Sequence, residues 1–338
     1  MGIDLTWPPR RRVCVVGGAG FIGSHLVGAL LHDPAIQRVT VYDNFTSGRR
    51  WHLDEASRDP RFDLVTGDVK DLDLLTRTVA GHERIVHFAS NPDIARAMSD
   101  PTVDFDEGTL LTHHVVEAAR RSGVERILYA SGSGVYGDLG AMEIDEDFGP
   151  LIPVSTYGAS KLAGEALISS YCHMFGLSAC VFRFGNVVGA HQTHGVGYDF
   201  VQRLLDDPST LTILGNGSQS KPYVHVDDVV GAMLTADDGA PSSFGVFNVA
   251  PEDHLSVKEI AELAVETVLG PGAHVKYIFG SEDRGWKGDV PVVRLKTDRI
   301  RSLGWTNQRS GKQAMKAALE SMTQEARDGR FGGAPSRL

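Results

Sequence analysis

Over roughly the first 190 residues, short apolar runs alternate with longer stretches of helical periodicity. RVCVV, RVTVY, RFDLV, RIVHFA, RILYAS and SACVFRF are almost continuously apolar, the pattern of strands buried on both faces. Between them, residues 20–32, 72–80, 103–121 and 155–175 carry helical spacing. Alternating strand and helix signals predict a parallel sheet covered on both sides, and right-handed crossovers make it doubly wound. After Gly189 the rhythm breaks. GAHQTHGVG and GNGSQSKP are polar, glycine-rich loops, followed by shorter strands (YVHV, FGVFNVA, HVKYI) and helices at 226–235 and 256–269. The expected fold class is α/β: a doubly wound parallel sheet with a smaller C-terminal α/β lobe. Residues 1–11 form an N-terminal extension, 12–190 the sheet domain with chain returns at about 222–250, and 191–325 mainly the second lobe. The glycine-rich tail, 326–338, is expected to fray.

The first strand, Val13-Cys14-Val15-Val16, runs into Gly17, Gly20 and Gly23 and then into a helix. Three glycines at that spacing serve a tight turn, the approach of backbone to a pyrophosphate, and close helix–strand packing. The N–H groups and dipole of the helix beginning near Phe21 favour negative charge. Asp43, closing VTVYD, lies where a carboxylate meets an adenosine ribose diol, and it would repel a 2′-phosphate. Strand, turn, helix and acid together predict a Rossmann-type NAD site, with NAD favoured over NADP.

Composition narrows the partners. The 338 residues are 42% hydrophobic and 22% charged, ordinary for a folded domain, with a formal net charge of −10. That acidity predicts no general nucleic-acid or anionic-membrane footprint, so an anionic substrate must be met by a local cluster of donors. No apolar run approaches the ~18–20 residues of a membrane span. The start, MGIDLTWPPRRR, lacks a hydrophobic signal core, and the expected location is the cytoplasm. Cys14, Cys172 and Cys180 have neither metal-ligand nor disulfide spacing, and no metal is expected.

Tyr157 and Lys161, in YGASK, share one helix face a turn apart. An ammonium beside a phenol favours the phenolate, lowering a reference pKa of about 10 toward working pH. Such a pair makes a general base for a substrate hydroxyl while a nicotinamide takes hydride from the same carbon. Upstream, Ser131-Gly132-Ser133-Gly134 lies at the carboxyl end of the strand RILYAS, where open α/β sheets place ligands.

With GGAGFIGSH, VYDNFTSGR, GDV at 67–69, HFAS, SGSGVYGD, YGASK, RFGNVVG and YVHVDD in order, residues 12–305 resemble the extended short-chain dehydrogenase/reductase family in its NAD-dependent nucleotide-sugar epimerase/dehydratase branch. The resemblance implies cofactor contacts from Gly17, Gly20, Phe21, Ile22 and Gly23, and from Asp43, Asn44, Ser47 and Gly48. It adds Asp68 and Val69 at the adenine, Phe88, Ala89 and Ser90 at a strand end, and Ser131, Tyr157 and Lys161, the lysine on the nicotinamide ribose. A UDP-sugar would meet Asn91, Ser133, Tyr157, Arg183, Asn186, Lys221, Tyr223, Arg284 and Lys287. A homodimer through the helices at 103–121 and 155–175 is also implied.

The departures from the family pattern narrow the reaction. A second hydroxyl usual beside the tyrosine is Gly132 here, leaving Ser133 or a water to replace it. An asparagine usual in the helix after HFAS corresponds to Gly108. Two phosphate-binding arginines are replaced by Lys221 and by Trp286-Lys287, with Arg284 as possible compensation; lysine lacks arginine's bidentate fork. The acid that dehydratases and decarboxylases place before VYG is absent, since those positions are Ser133 and Gly134. The resemblance therefore implies 4-epimerisation first, a dehydratase, decarboxylase or 4-keto reductase second, and a catalytically impaired NAD-binding regulator third. His191 and His194 read as solvated loop residues, and His113-His114 as surface or packing residues. Asp104, Asp106 and Glu107 read as a solvated helical first turn.

Overall fold

The structure, a computed structural model, describes residues 10–240 and 243–331; residues 1–9 of the N-terminal extension and the tail beyond 331 lie outside it. In chain order the strands are β1 Arg12–Val16, β2 Arg38–Asp43, β3 Phe62–Thr66, β4 Arg84–His87, β5 Arg126–Gly132, β6 Ser178–Phe184, β7 Asn186–Val188, β8 Thr210–Ile213, β9 Ser220–Lys221, β10 Tyr223–His225, β11 Phe244–Val249, β12 Leu255–Ser256 and β13 Lys276–Phe279. The helices are α1 Phe21–His32, α2 Leu72–Val79, α3 Leu110–Ser122, α4 Thr156–Phe175, α5 Val196–Asp206, α6 Val226–Gly239, α7 Val257–Leu269, α8 Asp298–Ser302 and α9 Gly311–Arg327.

Among the described residues, seven strands form one sheet in the order β11-β6-β5-β4-β1-β2-β3, every pairing parallel. The order reverses between β1 and β4, which opens a crevice at their carboxyl ends. Alternation along β1 divides the core. Val13 and Val15 pack with α1 and α6, whereas Cys14 and Val16 pack with α2, α3 and α4. All three cysteines are buried and free. The expected doubly wound sheet is borne out, and its seventh strand, β11, comes from the expected chain return.

A second core holds the remaining elements together. Phe200, Val201 and Leu204 of α5 meet Ile260 and Ala264 of α7 and Met315, Leu319 and Met322 of α9. The short pairs β7–β10, β9–β12 and β8–β13 lie outside the large sheet. No helix of the described residues is long and apolar enough to cross a membrane.

At the amino-terminal edge of the sheet, Asp237 of α6 meets two buried arginines. Arg84 Nε lies 3.0 Å and Arg126 Nε 2.9 Å from its Oδ1. Arginine remains charged, so both guanidiniums need this carboxylate once they leave water. Asp237→Asn keeps the shape and removes the charge. Its unfolding free energy in urea should fall by about 3–5 kcal/mol with the slope unchanged.

Candidate active site

The crevice at the sheet's reversal is a cavity of about 540 Å³ running from the glycine turn to α4. Gly17 has φ +82°, and a Cβ on it would stand 2.6 Å from the Ala89 backbone nitrogen. A Cβ on Gly23 would stand 2.4 Å from the Gly17 carbonyl oxygen. The turn is therefore sterically closed to larger residues at both positions. Gly20, the N-cap of α1, places no side chain over the helix end, so the first-turn N–H groups are left for a ligand. Phe21 and Ile22 line the same wall.

Asp43 is pinned at the far end. Its Oδ2 accepts from Ala19 N at 2.9 Å and its Oδ1 from Phe45 N at 2.8 Å. Burial pushes its carboxyl up and these two hydrogen bonds pull it back. Asp43 lines the cavity, and each of its oxygens keeps capacity to accept a further hydrogen bond. Asn44 Nδ2 donates to Asp68 Oδ2 at 3.1 Å, and Asn44, Ser47, Asp68 and Val69 all line the wall, as do Phe88, Ala89 and Ser90. Gly48 does not. It packs behind the turn, where a Cβ would stand 2.9 Å from Ala19.

At the other end α4 presents Tyr157, Lys161 and Glu165 at four-residue spacing toward β5 and β6. Ser155 caps the helix by accepting from Gly158 N at 3.1 Å. Gly158 lets the helix touch the 133–136 turn, since its Cβ would stand 2.5 Å from Gly134 O. Lys161 is 5% exposed. Its Nζ donates to Ala130 O at 2.9 Å and lies 5.5 Å from the Tyr157 ring centre. Burial, and then Asp104, pushes the Tyr157 phenol up to about 12, while burial pushes Lys161 down to about 8. In the chain alone, then, desolvation outweighs the lysine's charge, the reverse of the lowering expected from their spacing.

Further expectations are corrected. Arg183 does not reach the cavity. Its guanidinium donates to Glu165 at 2.7 and 3.1 Å and to Tyr136 OH at 2.9 Å, because a buried carboxylate next to it needs a cation. Ser131 lines the wall, yet its hydroxyl donates to Glu165 at 2.6 Å. Arg284 is held off the cavity by Asp138 Oδ2 at 2.6 Å and Asp289 O at 2.8 Å, and Lys287 points to solvent. Asp104 is buried rather than solvated, accepting from Asn91 Nδ2 and Thr156 Oγ1. Gly108 has a packing reason of its own, since a Cβ would come within 2.2 Å of Ser160 Oγ.

The remaining candidates, Asn91, Ser133, Asn186, Lys221 and Tyr223, all line the cavity. Lys221 Nζ donates to Asp289 Oδ1 at 2.5 Å. Gly132 leaves a real gap: its backbone is extended (φ −163°), and a Cβ there meets nothing within 4 Å. The neighbouring Ser133 lines the cavity.

Sequence reasoning missed a cluster behind the 190–195 loop. His191 stacks on His52 with ring centres 4.4 Å apart, and its N–H donates to Glu325 of α9 at 2.9 Å. Burial pushes His52 down to about 4 and His191 down to about 3, so both are neutral packing groups. Their order along the chain, scattered over 140 positions, carries no local signal. His194, Gln192 and Thr193 of the same loop line the cavity.

The model of the NAD dependent epimerase/dehydratase family matches residues 13–250. UDP-glucose 4-epimerase of Mycolicibacterium smegmatis is 35% identical over 310 residues, covering 88% of this chain and 94% of that protein. A crystal structure of UDP-galactose 4-epimerase superposes with a TM-score of 0.82 at 34% identity, over 93% of this chain and 99% of the other. A double mutant of dTDP-glucose 4,6-dehydratase from Streptomyces venezuelae, solved with NAD, gives a TM-score of 0.84 at 29% identity, over 94% and 98%. The chain belongs to the NAD dependent epimerase/dehydratase family, and its cofactor is NAD. Gly23→Ala should fold but purify without the dinucleotide, read as loss of NAD from the acid-released ligands by mass spectrometry.

Proposed function

We propose that this chain is a nucleotide-sugar 4-epimerase acting on a UDP-hexose or UDP-hexuronic acid by transient oxidation at C4, as a cytoplasmic homodimer packed through α3 and α4. The observation that carries the reading is the pairing of Tyr157 and Lys161 at one end of a dinucleotide crevice that offers no uncommitted acid. Asp43 is held by backbone N–H groups, Asp68 by Asn44 and the Lys70 N–H, Glu107 by Lys70, and Asp289 by Lys221. Dehydration needs a carboxylic acid to protonate a departing hydroxyl; epimerisation does not.

NAD supplies a hydride acceptor that returns what it takes, so it is neither consumed nor exchanged in a turnover. The Tyr157 oxygen accepts the C4 hydroxyl proton and hands it back once the sugar has turned its other face. Lys161, fixed on Ala130 O, offers its positive charge to the phenolate. A phenol held near 12 needs further positive charge to ionise, which the oxidised nicotinamide brings. Lys221, which lines the cavity with Asn186 and Tyr223 and has Asp289 as its counter-ion, would meet the diphosphate. Of the two serines flanking the gap at Gly132, Ser131 is committed to Glu165, which leaves Ser133 as the candidate hydroxyl.

Incubation with UDP-glucose, UDP-galactose and UDP-glucuronate should give the C4 epimer of at least one, without net NADH. Accumulation of NADH or of a 4-keto product would point to the dehydratase, decarboxylase or reductase reading instead. Tyr157→Phe should lower kcat by about 10²–10⁴-fold while retaining bound NAD. Gly132→Ser, with open space around its Cβ, should raise kcat by restoring a hydroxyl beside Tyr157; an unchanged or lower kcat would mean that Ser133 or a water already fills that role.

A further inference from the structure

Asp104 neither binds nor transfers anything in the reaction proposed, yet it is 2% exposed and lies where three parts of the site meet. Its Oδ1 accepts from Asn91 Nδ2 at 2.9 Å, on the cavity wall, and its Oδ2 accepts from Thr156 Oγ1 at 2.6 Å, the residue before Tyr157. The next residues, Phe105–Thr109, form a single π-helical turn leading into α3, with Glu107 out of helical geometry at φ −104° and ψ 16°. Such a bulge shifts the helix start without ending the helix. Both donors to Asp104 are neutral, so its charge is not cancelled by them.

The other titratable groups around Tyr157 are already neutral or paired. On α4, Glu165 is bound to Arg183 of β6. His87, at the end of β4, is pushed down to about 3 by burial and by Lys161, so it is uncharged. Tyr129 of β5 is pushed above its ordinary range by burial. Asp104 is the charge that acts on the phenol, and Asp104 with Glu165 acts on Lys161.

We propose that Asp104 is the positioning residue of the base: it ties the first turn of α4 to the cavity wall and, as a buried carboxylate beside that turn, keeps the Tyr157–Lys161 pair protonated until a cationic nicotinamide stands beside it. The inference rests on reading Tyr157 as the base. The direction follows from electrostatics: a negative charge disfavours a phenolate and favours an ammonium, so Asp104 raises both groups. Base formation is thereby coupled to cofactor occupancy.

The test reads phenolate absorbance in the NAD-loaded full chain after stopped-flow pH jumps, as the difference between each protein and its own Tyr157→Phe counterpart. Asp104→Asn should move the Tyr157 midpoint down by about one pH unit. Thr156→Val removes the tether and keeps the charge, so its midpoint should stay near wild type while its kcat falls. An unmoved midpoint in Asp104→Asn, or equal shifts in the two variants, would overturn the proposal; Asp104→Ser serves if the asparagine variant does not fold. The readout needs no sugar. Failure to find a sugar substrate would sink the epimerase reading alone, and an unmoved midpoint in a working epimerase would sink this one alone.

Discussion

The buried pair between Glu165 and Arg183 is the constraint on which the site depends. Glu165 is 5% and Arg183 4% exposed, and removing either charge from water costs several kcal/mol unless the other is there. The pair fixes α4 against β6, and the Ser131 hydroxyl fixes the same carboxylate against β5. Glu165 stands eight residues after Tyr157 and four after Lys161, so one face of α4 is pinned at successive turns. Lys161 adds its bond to Ala130 O. A rotation or slip of the helix would break all of these together. Tyr136 and Asn248 extend the lock to β11, the strand returned from the second half of the chain.

The cofactor end is positioned by steric closure rather than by charge. At the reversal of strand order, the loops after β1 and β4 leave the sheet side by side. Gly17 and Ala89 are in backbone contact there, which only a glycine at positive φ allows. Asp43 is held by the backbone N–H of Ala19 within the turn, so the turn and the Asp43 carboxylate move as one unit. The two halves of the cavity are thus rigid for different reasons, and the segment between them, residues 91–104, is closed on itself by Asn91 and Asp104 and tied to α4 through Thr156.

Much of this was legible along the chain because it is local. The strand–glycine–helix–acid series and the YGASK spacing each occupy one continuous segment, and their periodicities are those of the elements they form. The helices α5 and α9 were not read, although α9 opens with a capping box, Ser310 and Gln313, ahead of apolar positions 314, 315, 318, 319 and 322. That signal was available. The fates of Arg183 and Asp104 were not, because a charged residue at a strand end or helix start looks the same whether it faces a ligand or a partner brought from 18 or 52 positions away. Pairing of charges across a fold has no periodicity to read. The same holds for the phenol of Tyr157, whose burial is a property of the whole site rather than of the four residues around it.

The proposed reaction asks two opposite things of one cavity. The dinucleotide must be held so firmly that hydride returns before it leaves, and the sugar must be held loosely enough to present both faces of C4. The distribution of rigid and open positions follows that division. The glycine turn admits no side chain at Gly17 or Gly23, whereas the sugar end carries open space at Gly132 and a lysine rather than a forked arginine at 221. A point charge holds a diphosphate without fixing its orientation, so the anchor permits the ring to turn beneath it. In the proposed reaction Tyr157 is the base at C4, so the position of α4, set by Glu165 and Arg183, would decide whether the proton finds the same oxygen on its return.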